Sequence, residues 1–138
     1  MGRILAVDYG TKRVGLAVTD PLKIIASPLD TVHAKDVISF LQDYCSNEAV
    51  EAFVIGMPKN LNNEDTDATS HVRGFIKRLE KAFPAVSITT VDERFTSKIA
   101  FDAMIAGGLK KKDRADKGTV DKVSATVILQ SYLEQNPS

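Results

Sequence analysis

The sequence predicts an α/β protein in which a three-strand antiparallel meander and βαβ units form a mixed five-stranded sheet flanked by helices. Apolar runs of strand length alternate along the chain with segments whose apolar residues recur at helical spacing. Only short turns join the first three runs, which favours an antiparallel meander. The later runs alternate with helical segments, which favours parallel strands joined by helices.

The five predicted strands are short apolar runs bounded by turn residues. Residues 3–8 are apolar almost throughout, which is typical of a central strand buried on both faces. In residues 13–19, large apolar and small residues alternate, and Asp20-Pro21 marks the following turn. The other predicted strands cover residues 23–27, which end at Pro28, residues 52–56 and residues 86–91.

Four segments carry the spacing of helices. The apolar stripe of residues 34–46 includes Val37 and Leu41, and that of residues 66–82 includes Val72 and Phe75. Gly107-Gly108 ends the helix predicted over residues 96–106, because glycine is the usual residue after a helix C-terminus. The last helix is predicted from about Thr119 to Glu134.

Length and composition favour an ordinary globular protein. The 138 residues predict a single domain over 1–138, and equal numbers of basic and acidic residues, 18 of each, give no bulk indication of a nucleic-acid partner. Cys45 is the one cysteine, which excludes an internal disulfide and a cysteine-based zinc site and fits a reducing compartment. With no secretory signal and no apolar run of membrane-spanning length, we expect a cytoplasmic protein without a membrane partner.

Carboxylates at three points of the chain are candidates for one site. Asp8 ends the first strand, Asp92-Glu93 follows the fifth, and Asp121 stands near the start of the last helix. Sites in open α/β sheets form at the carboxyl ends of strands, so these acids can converge there. Strand alternation allows only one of Asp92 and Glu93 to face the site.

Each acid also has a structural interpretation. Asp8 can close a hairpin as a turn residue, and Asp92-Glu93 can be a surface turn that favours the next helix N-terminus. Asp121 can interact with its own helix dipole, but it shares a largely apolar face with Ala125 and Ile128, where a carboxylate needs a cation. The last point favours the functional interpretation.

The chemistry expected of such a site is that of a hard cation. His33 and His71 lack the spacing of metal ligands, so oxygen atoms are the expected donors. Oxygen ligands fit Mg²⁺ or Mn²⁺ best. Two such ions can activate a water and stabilise the leaving oxygen of a phosphodiester.

Basic residues near these acids are candidates for contacts with a nucleic-acid backbone. A basic segment precedes Asp121, and further cations or amides follow the first, fourth and fifth strands. These residues are Lys110, Lys111, Lys112, Arg114 and Lys117 in the segment, with Lys12, Arg13, Lys59, Asn60 and Arg94 elsewhere. Such cations would neutralise phosphates, whereas the alternative is an ordinary solvated loop.

Four segments resemble, in order and spacing, the motifs of the YqgF family of RuvC-like nucleases. They begin at Asp8 (DYGTKRVG), Ile55 (IGMPKN), Val91 (VDERFTS) and Val120 (VDKVSA). The resemblance covers nearly the whole chain. It implies an RNase H-like fold, hydrolysis of phosphodiesters with Mg²⁺ or Mn²⁺, and Asp8, Glu93 and Asp121 as catalytic and metal-binding residues.

The resemblance implies one of two alternative substrates. One is the precursor of 16S ribosomal RNA, which is the preferred interpretation, and the other is a Holliday junction in DNA recombination. The expected protein is a monomer or weak homodimer, since a resolvase has to cut two strands symmetrically.

Two other functional classes compete with the nuclease. Actin-like kinases open with a similar motif of aspartate, glycine and threonine, which Asp8, Gly10 and Thr11 match, but they enclose ATP between two such domains and this length predicts one. A non-catalytic nucleic-acid-binding module would have no need to keep three acids. Metal-dependent cleavage of a structured nucleic acid separates that module from a nuclease.

Overall fold

The computed structural model describes residues 2–57, 67–92 and 117–135. Within these ranges the strands are β1 (Arg3–Tyr9), β2 (Arg13–Thr19), β3 (Ala26–His33), β4 (Val50–Met57) and β5 (Ser87–Asp92). The helices there are α1 (Val37–Asn47), α2 (Asp67–Ala82) and α3 (Lys117–Gln135). The helix predicted over residues 96–106 lies outside the described residues.

The five strands form one mixed sheet in the order β3-β2-β1-β4-β5. β2 is antiparallel to both β1 and β3, whereas β1, β4 and β5 run parallel. This arrangement confirms the predicted fold class of a meander joined to parallel strands. β1 lies at the centre of the sheet, which explains why the sequence there is apolar on both sides of the strand.

The two faces of the sheet are covered by different helices. Leu5 and Val7 of β1 belong to the core beneath α1 and α2, together with Phe53 of β4. Ile4 and Ala6 alternate with them and pack on the other face, where α3 covers the sheet. None of the helices in the described residues is both long and apolar enough to cross a membrane.

The stripes predicted for the helices pack as expected. Val37 and Leu41 of α1 are buried, and Val72 and Phe75 of α2 are buried with them beneath the same face of the sheet. Cys45 is half-buried at the edge of this core. Burial raises the pKa of its thiol, so Cys45 is a packing residue.

The third strand differs from its prediction. The sequence predicts a strand over residues 23–27 that ends at Pro28, but β3 begins at Ala26 and continues through Pro28 to His33. β3 is an edge strand, where the missing N–H of a proline breaks no bond to an outer neighbour. The pairing with β2 shifts between Leu16 and Ala17, as expected of a β-bulge opposite Leu29.

The turn before β3 explains why the strand starts late. The Asp20 carboxylate accepts hydrogen bonds from the backbone N–H groups of Leu22, Ile24 and Ile25, at 3.2, 2.9 and 2.8 Å. Lys23 takes a positive φ of 60° to close this turn. These bonds, chiefly those from Ile25 and Ile24, hold the pKa of the Asp20 carboxyl below its ordinary value.

We predict that Asp20→Asn lowers the thermal midpoint at neutral pH, because the amide accepts these hydrogen bonds less strongly than a carboxylate. The folded-state pKa lies below the unfolded one, so the contribution of Asp20 is present above about pH 4 and is lost as the pH falls through the folded pKa. The difference in midpoint from wild type should therefore shrink on acidification. Calorimetry from neutral to acid pH measures it, with Asp43→Asn on α1 as control, and a difference independent of pH would contradict the assignment.

Candidate active site at the sheet rim

The carboxyl ends of the three parallel strands meet at one edge of the sheet. Asp8 is the last residue but one of β1, and β4 and β5 end side by side with Met57 paired to Asp92. Asp8 is partly exposed there, at the end of a strand whose preceding four residues are buried. This edge is called the catalytic rim below.

Asp8 lies between two strands that bring glycine beside it. It pairs with Gly15 of β2, and because Val7 pairs with Ile55 of β4, Gly56 is its neighbour on the other side. By strand alternation Asp8 follows Ala6 onto the face that α3 covers. The residues directly opposite Asp8 on both neighbouring strands are therefore glycines, and a cation with its water ligands needs such room.

The β1–β2 hairpin forms the wall of this site. Gly10 N donates a 3.0 Å hydrogen bond to Arg13 O, and a Cβ added at Gly10 would come within 2.5 Å of the same oxygen. Ala34 N donates a 3.0 Å hydrogen bond to Lys12 O, which ties the hairpin to the segment before α1. A depression of about 290 Å³ is lined by Asp8 and the hairpin residues up to Arg13.

A second set of contacts holds the hairpin from the other face of the sheet. The ring of Tyr9 stacks on Phe75 of α2, with centroids 4.5 Å apart and planes 18° from parallel. Arg78 Nη2 donates a 2.9 Å hydrogen bond to Tyr9 Oη, and its guanidinium lies 5.9 Å from the centroid of Phe75. The residue after Asp8 is thus anchored to α2.

The course of α3 bears on the position of Asp121. Tyr132 and Leu133, near the end of α3, line a depression with Ile4 at the start of β1. Asp8 lies about 13 Å along the strand from Ile4, and residue 121 lies about 16 Å back along the helix from Tyr132. The backbone of α3 therefore returns toward the catalytic rim near residue 121. The side chain of Asp121 lies outside what the structure describes.

The structure brings together only part of the predicted site. Lys12 and Arg13 are exposed and line the same depression as Asp8. Lys117 begins α3, where only its backbone is described. The other predicted residues lie outside the described ranges: Lys59, Asn60, Glu93, Arg94, Lys110, Lys111, Lys112 and Arg114.

The donors described near the rim favour oxygen ligands. Cys45 packs with α1 on the face opposite Asp8, so it is not a ligand candidate. Among the described residues, no three histidine, cysteine, aspartate or glutamate side chains gather as a metal cluster. Asp8 is the member of the predicted carboxylate set whose side chain is described, and its oxygens suit Mg²⁺ or Mn²⁺.

Fold and rim together define the class of RNase H-like proteins, and comparison with solved structures agrees. The structure of Thermus thermophilus RuvC in complex with a Holliday junction substrate superposes with a TM-score of 0.62, at 14% identity over 99% of this chain and 97% of that chain. A likeness at this low identity establishes the fold.

Comparison of sequences gives the family. A profile of the RuvX family, described as Holliday junction resolvase, matches residues 2–135. A protein of Porphyromonas gingivalis named "Putative pre-16S rRNA nuclease" is 53% identical over 137 residues, or 99% of both chains. One of the same name from Amoebophilus asiaticus is 54% identical over 133 residues, 96% of this chain and 94% of that protein. The chain belongs to the RuvX family, also called YqgF, as the motifs predict.

Several residues of the site have roles that sequence reasoning missed. Sequence alone indicates a strand residue at Gly15 and a turn residue at Gly56, and only the register of the sheet shows that they flank Asp8. Tyr9 and Arg78 are 69 positions apart, so no local pattern indicates their hydrogen bond. The one sequence signal for a role of Tyr9 at the site is that this aromatic residue directly follows a strand-ending carboxylate.

We predict that Gly10→Ala lowers the free energy of unfolding by about 1–3 kcal/mol, because the new Cβ meets a backbone oxygen rather than a flexible side chain. Chemical denaturation measures the change. Gly74→Ala in α2 is the matched control, since a Cβ there meets no atom within 4 Å. Equal stability changes in the two variants would contradict the described hairpin.

Proposed function

We propose that this chain is a divalent-metal-dependent endonuclease that hydrolyses phosphodiester bonds in structured nucleic acid. The observation that carries the proposal is Asp8, a carboxylate at the end of the central strand with glycine on both neighbouring strands. Membership of the RuvX family and the RuvC-like fold support the same activity.

The proposed metal ligands are Asp8, Glu93 and Asp121. Val91 packs on the face that α3 covers, and alternation along the strand makes Glu93 the next residue expected on that face. Position 121 shares a helical face with the buried Ala125 and Ile128. The proposed ligands thus come from β1, the residue that follows β5 and the first turns of α3.

The carboxylates of this site would hold Mg²⁺ or Mn²⁺, which when bound activates a water and stabilises the leaving oxygen. Asp8 would fix the position of the cations against the scissile phosphate, because its backbone is held in the centre of the sheet. Lys12 and Arg13 line the same depression and would neutralise the substrate's phosphates. A site built from the three proposed carboxylates would hold two ions.

The proposed substrate is the precursor of 16S ribosomal RNA, in the cytoplasm. Relatives about half identical over nearly the full chain carry that name, which supports the RNA substrate. The description of the family favours a second candidate, a DNA Holliday junction, for which the chain would have to act as a dimer.

Side-by-side cleavage of a precursor rRNA fragment and a four-way DNA junction tests the proposal. Wild-type protein should cut the RNA in Mg²⁺ or Mn²⁺ and be inactive in excess chelator. Faster cutting of the junction at symmetric positions, with a dimeric mass, would favour the resolvase. If the protein cuts neither substrate, the result would support a non-catalytic binding module instead.

We predict that Asp8→Asn abolishes cleavage and leaves the fold intact, because the amide is nearly isosteric but is a poor ligand for a hard cation. Its thermal midpoint should equal or exceed that of wild type, since it relieves repulsion among the carboxylates. Asp43→Asn, on the exposed side of α1, should retain full activity. If Asp8→Asn cleaves at the wild-type rate in saturating metal, Asp8 is not a required metal ligand.

We predict that Glu93→Gln loses far more activity than Asp92→Asn, because alternation from Val91 assigns residue 93 to the face of Asp8. Initial rates under identical Mg²⁺ concentrations measure the difference. The reverse order would show that the register at the end of β5 is shifted by one residue.

We predict that replacing Lys110, Lys111 and Lys112 together with alanine weakens substrate binding and leaves base preference unchanged, because phosphate contacts carry no direct sequence information. For every lysine that binds a phosphate, its removal should reduce the slope of log affinity against log salt by about one. Lys23→Gln, in the turn at the opposite rim, is the control. An unchanged slope in the triple variant would remove the segment from the interface.

A further inference from the structure

The outer face of α2 concentrates positive charge in a protein with no net charge. Between residues 69 and 82 the helix carries one carboxylate, Glu80, and four cationic side chains that are all exposed. These cations are Arg73, Lys77, Arg78 and Lys81. The buried side of the same helix, with Val72, Phe75 and Leu79, packs on the sheet. Lys77 and Lys81 lie on the exposed side, and Arg78 turns toward Tyr9 at the edge of the core.

A glycine stands in the middle of this charged face. At 100° per residue, Gly74 lies between Arg73, Lys77 and Arg78 on the helix surface, with Ser70 one turn before it. A Cβ at Gly74 would meet nothing within 4 Å, so no packing inside the described structure requires glycine there. Glycine is also among the least favourable residues in a helix interior. A flat position with cations beside it and one turn after it allows close approach of a partner's backbone.

The charged face is connected to the catalytic rim. Arg78 donates its hydrogen bond to Tyr9, and Tyr9 directly follows Asp8. A nucleic acid with its scissile phosphate at Asp8 would therefore reach α2 by passing the β1–β2 hairpin, where Lys12 is exposed. The cations of α2 extend this path beyond the depression that holds the reacting phosphate.

We propose that the outer face of α2 is a docking surface for the sugar–phosphate backbone of a duplex arm of the substrate. This inference rests on the proposed function, because it identifies the duplex as part of the same nucleic acid. Arg73 and Lys81 are about 12 Å apart along the helix, and a duplex carries one charge per about 1.7 Å of its axis. Several phosphates thus face the patch. A second copy of α2 would bring like charges together.

The test measures binding of full-length protein to a blunt RNA duplex in excess chelator, where no cleavage occurs. Lys77→Gln combined with Lys81→Gln should weaken binding several-fold and reduce the salt slope by about two. Glu80→Gln should tighten binding, and Lys23→Gln at the opposite rim should change neither affinity nor slope. Because the assay needs no catalysis, it gives its answer even if the proposed hydrolysis fails.

Two substitutions at Gly74 distinguish an effect on duplex docking from an effect on folding. Gly74→Ala and Gly74→Gln should both raise the thermal midpoint, since both residues are better helix formers. Gly74→Gln should nevertheless weaken duplex binding, because its side chain occupies the flat position, and in cleavage assays it should raise KM with kcat unchanged.

Three results would overturn the docking surface. The first is that the Lys77/Lys81 variant and the Gly74→Gln variant both bind the duplex with wild-type affinity. Equal losses for the duplex and its unpaired strand would show that the face does not select duplex. A change of oligomeric mass in place of affinity would assign the face to self-association.

Discussion

The structure depends on β1 being buried on both faces at the centre of the sheet. Leu5 and Val7 pack under α1 and α2, while Ile4 and Ala6 pack under α3, so the strand is fixed from both sides. Asp8 continues directly from this strand. Its carboxylate is therefore held by a strand whose preceding four residues are buried, without itself being buried. The proposed metal site would gain from such rigidity, because the ligand would be positioned before the cation arrives.

Charged side chains lie at both ends of the sheet. At the end opposite Asp8, charges are paired within the protein: Arg3 Nε lies 3.3 Å from Glu48 Oε2, and Lys23 forms an ion pair with Glu51. The hydrogen bond from Lys23 lowers the pKa of the Glu51 carboxyl. At the catalytic rim, exposed Lys12 and Arg13 flank the depression beside Asp8. Lys12 and Arg13 therefore lie where the proposed substrate would place its phosphates.

The sequence predicted the order of the described elements, the meander and the location of Asp8, because apolar periodicity reports which side of an element is buried. It misplaced β3, because the three hydrogen bonds to Asp20 and the tolerance of an edge strand for Pro28 are invisible to periodicity. The contact of Tyr9 with α2 and the glycines around Asp8 depend on register and packing between distant segments. Glu93 stays a prediction from strand alternation and the family motifs, and the lysines after Gly108 stay a prediction from the clustering of basic residues before Asp121.

The central claim is that Asp8 and Asp121 bind one and the same metal site. Binding of Mn²⁺, followed by electron paramagnetic resonance in wild type, Asp8→Asn, Asp121→Asn and the double variant, tests it without any substrate. A shared site predicts that each single substitution removes most of the affinity and that the double variant loses little more. Independent, additive losses from the two substitutions, or wild-type binding in either single variant, would contradict the account.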